Sequence, residues 1–173
     1  MSSATNISMY HASVPVLLRA LGNLRAILEK AAAHAEARKI DPAALIGSRL
    51  YPDMFALARQ VQLASDMAKS CVSRLAGVEP PKYEDNESTF ADLIARIDKT
   101  VAHVKSFKPE QIDGTEDKTV TLQTPRGPLN FKGMQYLLFF LLPNLFFHVT
   151  TAYNILRHNG VELGKADYLG ATG

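Results

Sequence analysis

From Met134 to Leu156 the chain carries no Asp, Glu, Lys or Arg. A charge-free stretch of that length either crosses a bilayer or forms a helix buried on most of its circumference. Gln135, Pro143, Asn144, His148, Thr150, Thr151 and Asn154 interrupt it with groups that hydrocarbon tolerates poorly. The segment therefore reads as the central helix of a packed bundle, running from about Gly133 to Asn159, and no membrane span is expected. Arg157 and His158 suit its last turn, where cations offset the carbonyl end of a helix, and Gly160 suits the stop.

A buried helix needs neighbours with apolar seams. Val14, Leu17, Leu21, Leu24 and Leu28 alternate by three and four, which predicts a first long helix from about Met9 to Ala37. Asp41-Pro42 reads as an N-cap followed by proline at the first position of a short helix. Met54, Leu57, Val61, Ala64, Ala68, Cys71 and Leu75 predict a second long helix that starts near Pro52 and stops at Gly77. Pro80-Pro81 then favours an extended path, long enough to cross most of a bundle. That crossover lets the third helix, about Ser88 to Phe107, run parallel to the second, with Phe90, Leu93, Ile94, Ile97, Val101 and Val104 inward and Pro109 as its stop. Val120 and Leu122, then Leu129 and Phe131, alternate with polar residues around Pro125-Arg126-Gly127-Pro128, which predicts a small β-hairpin before the last helix. The tail, 160–173, reads as a glycine-rich loop. Four long helices with one long crossover make an all-α four-helix bundle, a single domain over 1–173.

Composition narrows function mainly by exclusion. Nineteen basic against seventeen acidic residues give a net charge of +2, too balanced to predict a nucleic-acid surface. One cysteine, Cys71, excludes an intrachain disulfide framework and fits a reducing, cytoplasmic setting. Met1 to Met9 has neither the basic nor the apolar region of a signal peptide.

The positions able to carry chemistry are few. At 100° per residue, Leu141, Leu145, His148, Ala152 and Ile155 share one face of the last helix, so an imidazole enters the core facing the second helix. Asn144 lies one turn earlier. The pair reads either as a ligand or metal site of the bundle type or as a core histidine satisfied by a neighbour. With the second and last helices antiparallel, Gln60 falls near the level of His148. Asp53, seven residues before Gln60, stacks below it; it reads as a site carboxylate or as charge complementing a helix N-terminus. Asp66 is expected in solvent, as are His34 and His103. His11 is expected inside near the start of the first helix, and Cys71 in the core. Pro143 predicts a kink or a curve. Phe139, Phe140, Phe146 and Phe147 exceed what one seam requires, which predicts a homodimer through this helix or its neighbour.

Pro143-Asn144, Phe147-His148, Thr151-Ala152-Tyr153 and Ile155-Leu156-Arg157-His158 are followed by Leu163-Gly164-Lys165 and Asp167-Tyr168-Leu169-Gly170. Together with Tyr51-Pro52-Asp53-Met54-Phe55 and Gln60-Val61-Gln62, they resemble an uncharacterised bacterial family of unknown function within the DinB-like superfamily. The resemblance covers nearly the whole chain. It implies an up-down-down-up bundle, usually dimeric. Metal-dependent members, thiol transferases among them, use one His on the second helix and His-x-x-x-His on the fourth. By that likeness His148 matches the third ligand, Asn144 the second and Gln60 the first, so two imidazoles are replaced by amides. The resemblance thus implies a degenerate metal site, and no metal and no cofactor are expected. Three functions follow as expectations: a metal-free module binding a small molecule or a partner at Asn144 and His148; a metal-dependent transferase or hydrolase using His148 with Asp53 or Gln60; or an interaction protein whose last helix serves dimerisation.

Overall fold

The computed structural model describes residues 6–171; the first part of the Met1–Met9 stretch and the last two tail residues lie outside it. Helix α1 (Met9–Arg38) opens on Ser8, whose hydroxyl accepts from the His11 N–H, and buries Val14, Leu17, Leu21, Leu24 and Leu28. Asp41 caps α2 (Pro42–Ile46) through the Ala43 N–H at 3.0 Å. The second long helix, α3 (Leu57–Ala76), starts five residues later than the apolar pattern predicts. Residues 51–54 are turn and bend, and the Leu57 N–H bonds back to the Ser48 carbonyl at 2.9 Å, closing a loop where the sequence suggested a helical turn. Gly77 ends α3 at φ 78°, a conformation that favours glycine.

Residues 78–88 cross the bundle in extended form. Thr89 and Asp92 exchange side-chain and backbone hydrogen bonds (3.1 and 2.9 Å) to start α4 (Phe90–Lys105). Two contacts fix its direction: Asp66 pairs with Arg96 and Ser73 with His103. Both partners lie thirty residues further along the chain, so α3 and α4 are parallel. Ser106 caps α4, and Pro109 begins a further short helix, α5 (Pro109–Ile112), instead of ending the previous one.

The hairpin forms as expected, β1 (Thr119–Thr124) antiparallel to β2 (Gly127–Lys132) in the register Val120↔Phe131 and Leu122↔Leu129. Val120 and Leu122 face the core. A continuous helix from Gly133 to His158 follows. It consists of α6 (Gly133–Gln135), a π-helical stretch (Tyr136–Leu141) and α7 (Leu142–His158). Gly133 is required at its start, since a side chain there would collide with the Thr115 carbonyl. The π stretch was not legible in the sequence and replaces the expected kink. Pro143 cannot donate a hydrogen bond, and the turns before it widen; the Leu142 N–H reaches back five residues to the Leu137 carbonyl. This helix is long and apolar enough to cross a membrane by length and composition, but it packs chiefly on α3 and also on α1 as a core element. The tail departs from the loop reading: Lys165–Leu169 forms a short helix, α8, laid on α1.

The long helices thus make an up-down-down-up four-helix bundle. One continuous core joins all four, with Leu17, Leu21, Leu75, Ile97, Leu141 and Leu145 among its fully buried members.

Candidate functional site

Gln60 lies in the first turn of α3, and its N–H bonds the Ala56 carbonyl at 3.1 Å. This places its side chain against His148 on α7. His148 Nδ1 and Gln60 Oε1 are 2.8 Å apart, and both side chains are buried. The Gln60 amide nitrogen donates to the Phe55 carbonyl at 3.2 Å. That contact orients the amide: its NH2 faces a carbonyl, so its oxygen faces the ring. The ring nitrogen facing an oxygen must carry the hydrogen, so Nδ1–H donates and Nε2 keeps its lone pair. No described residue hydrogen-bonds to Nε2.

Burial first, and the positive Arg59 second, hold the His148 imidazole below its ordinary pKa. It is therefore neutral at pH 7. The Phe147 ring meets it edge-on at 5.4 Å between centroids. Arg59 sits 5.9 Å from the centroid of the exposed Phe55 ring and is anchored by Asp85 and Gln62. The arrangement offers a fixed, neutral hydrogen-bond acceptor beside a cation, rimmed by aromatic surface.

Of the four residues singled out by sequence, the fold joins Gln60 and His148 and does not bring the other two to that pair through hydrogen bonds. The Asn144 amide instead donates to the Phe140 carbonyl at 2.6 Å, closing the π stretch next to Pro143. Asp53 lies in the exposed turn before α3, because α3 starts at Leu57. Arg59 and the Phe55 carbonyl complete the site and were missed; their only sequence signal was closeness to Gln60.

Other placements also differ. His11 is exposed, its ring beside the Ser8 hydroxyl at 3.0 Å. His103 is half-buried, and its Nε2 meets the buried Ser73 hydroxyl at 2.9 Å. Cys71 is fully buried as expected, and burial pushes its thiol pKa up, which leaves no thiolate for nucleophilic chemistry. Tyr136, also fully buried, has its hydroxyl pushed up to about 12 by burial and lacks a hydrogen-bond partner.

Asp66, expected in solvent, joins a charged cluster between α3 and α4 that shares Asp85 with Arg59. Arg96, with a side chain only 2% exposed, reaches Asp66 at 3.0 Å, Asp85 at 3.1 Å and Glu87 at 2.8 Å. Lys69 pairs with Asp66 at 2.6 Å. The Tyr83 ring has the ammonium groups of Lys69 and Lys99 at 4.2 and 4.1 Å from its centroid. A groove of about 660 Å³ opens over this cluster between the crossover and α4. Its buried cation is already neutralised by three carboxylates, so the cluster clamps the crossover to the two parallel helices.

Among the described residues no group of three or more His, Cys, Asp or Glu side chains could hold a metal ion. The family model described as "Domain of unknown function (DUF1993)" matches residues 9–169. No curated protein matches the chain. Among solved structures it is similar to a DinB family member protein from Shewanella denitrificans, 43% identical, covering 94% of this chain and 92% of that one, with a TM-score of 0.87.

Proposed function

The chain belongs to the DUF1993 family, and on that premise we propose a cytoplasmic, dimeric protein that binds a small molecule at His148. One observation carries the reading: His148 Nδ1 lies 2.8 Å from the Gln60 amide oxygen, which fixes the ring and leaves Nε2 without a partner among the described residues. A ligand with an N–H, O–H or S–H donor would meet Nε2, and an acceptor on the same ligand would meet Arg59.

The metal chemistry of the superfamily does not fit these residues. Zn²⁺ and Ni²⁺ favour several imidazole or thiolate donors. Here one imidazole nitrogen is offered, the Gln60 oxygen accepts from that same ring, and the Asn144 amide is turned to Phe140. Gln60 is the orienting partner of the histidine and not a co-ligand, which makes this a degenerate form of a metal site.

Exposed aromatic surface supports the dimer. Phe139 is 77% exposed and Phe147 57%, while Phe55 and Tyr51 stand beside the start of α3. Exposed rings are costly in water, and a twofold contact would cover them.

Calorimetric titration of small thiols, alcohols and amines, with metal analysis of the purified protein, tests the site. Saturable binding lost in His148→Gln, without stoichiometric metal, is expected. One tightly held Zn²⁺ or Ni²⁺ ion per chain would replace this reading with a metal-dependent transferase or hydrolase. Sedimentation at micromolar concentration should show a dimer that Phe147→Asp weakens; a monomer throughout would remove the dimer.

A further inference from the structure

A second cavity lies on the α1 side of α7, away from the Gln60–His148 contact. It measures about 230 Å³ and is walled by Val16 and Ala20 of α1, Phe146 and Val149 of α7, and Tyr168 and Leu169 of α8. Its walls are almost wholly hydrocarbon or aromatic ring. The two polar side chains at its rim are already engaged. Arg19 donates to the carbonyls of Leu169 (2.9 Å) and Ala171 (3.1 Å), and Asn23 donates to that of Tyr168 (2.8 Å).

The cover is built unusually for a helix. No residue of α8 is fully buried; its apolar packing is the half-buried Tyr168, set against the core and edge-on to the Tyr153 ring. Polar contacts do the rest. Besides Arg19 and Asn23, Lys30 pairs with Asp167 at 2.6 Å, and the Thr150 hydroxyl donates to that of Tyr168 at 3.1 Å. Gly170 turns at φ 74°, directly over Asn23, where a side chain would collide with the amide. The tail is thus fastened around its edges above an apolar hollow that its own side chains leave unfilled.

We propose that this hollow is a binding site for a small, uncharged, aromatic compound of about bicyclic size. An apolar cavity of about 150 Å³ accepts benzene, whereas drug-sized ligands occupy about 300 Å³ or more. A hollow of about 230 Å³ lies between the two. A cation would meet the Arg19 guanidinium, and the donors of Arg19 and Asn23 already serve backbone carbonyls, so the hollow suits an uncharged ligand. The edge and face of Tyr168 and Phe146 suit a flat ring better than a flexible chain. This site is independent of the ligand proposed for His148.

Indole is the probe, titrated into the full-length protein while methyl resonances are followed by NMR. Saturable shifts at Val16, Ala20, Val149 and Leu169 are expected below about 1 mM, the range that ligand efficiency allows a compound of this size. His148 resonances should stay in place. Ala20→Leu and Val16→Phe both fill the hollow, and each should weaken binding by at least about tenfold, or 1.4 kcal/mol. Val16 is only half-buried, so the second variant serves should the first fail to fold. Three results would overturn the proposal: shifts that rise linearly without saturation, affinity unchanged in a folded filling variant, or shifts that follow protein concentration, which would mark the hollow as a contact between copies.

Discussion

Helix α3 carries polar groups on two sides, and they are solved in opposite ways. Toward α7 it offers one neutral pair, Gln60 and His148, in an interface otherwise made of Val61, Ala64, Ala68, Leu145, Ala152 and similar residues. Toward α4 it offers ions: Asp66 pairs with both Lys69 and Arg96, and the crossover brings Asp85 and Glu87 to Arg96 and Tyr83 to Lys69. On the second side every carboxylate answers a cation and little capacity is left over. On the first side one hydrogen bond fixes the ring and leaves a nitrogen lone pair without a protein partner. The ionic side reads as a fastening, and the sparse side is where a ligand has something to meet.

Breaking the fastening should have the largest effect. Arg96→Ala leaves Asp66 and Glu87 facing each other with their main cation gone, and losing one partner of a buried ion cluster costs about 3–5 kcal/mol. Urea unfolding reads this directly. A loss below about 1 kcal/mol would place the cluster with ordinary surface pairs.

The neutral pair should cost less, and in an asymmetric way. Gln60→Leu strands the Nδ1–H of His148, and His148→Leu strands the Gln60 oxygen; each should cost about 1–3 kcal/mol. The double substitution removes both needs and should return to within about 1 kcal/mol of the wild type. Additive losses would mean the pair is not the unit described.

Acidity sharpens the contrast further. The folded chain holds His148 below the ordinary imidazole value, chiefly by burial and next by Arg59. Unfolded chains protonate near pH 6.5 while the folded one still resists. The unfolded state therefore binds more protons in that window, and stability falls as pH drops below about 6.5. His103 is lowered too, mainly by burial, and contributes in the same direction. The difference between wild type and the double variant isolates His148: wild type should lose stability relative to the double variant as pH falls. A pH-independent difference would contradict a depressed imidazole.

How much of this was legible in sequence follows the same division. Local periodicity carries the helices: Leu17, Leu21, Leu24 and Leu28 are buried as their spacing requires, and Gly77 stops α3 as a left-handed cap. Helical arithmetic also brings His148 to face α3 at the level of Gln60. The start of α3 was misplaced because Pro52 and Asp53 resemble helix-opening residues, while the backbone bond from Leu57 to Ser48 depends on a loop that no pattern announces. Asp66 read as solvated because its partner Arg96 lies thirty residues away on α4. The π stretch and the folded tail were hidden for a related reason. One rests on the backbone's answer to Pro143, the other on side chains of α1 reaching carbonyls near the far end of the chain.

The central claim concerns one proton. Long-range ¹H–¹⁵N spectra of the histidine rings at pH 7, with His148 assigned by its loss in His148→Gln, report which nitrogen carries it. The account predicts a neutral ring protonated at Nδ1, with Nε2 showing the shift of a bare, pyridine-like nitrogen. A ring protonated at Nε2, or a charged imidazolium at that pH, would contradict it.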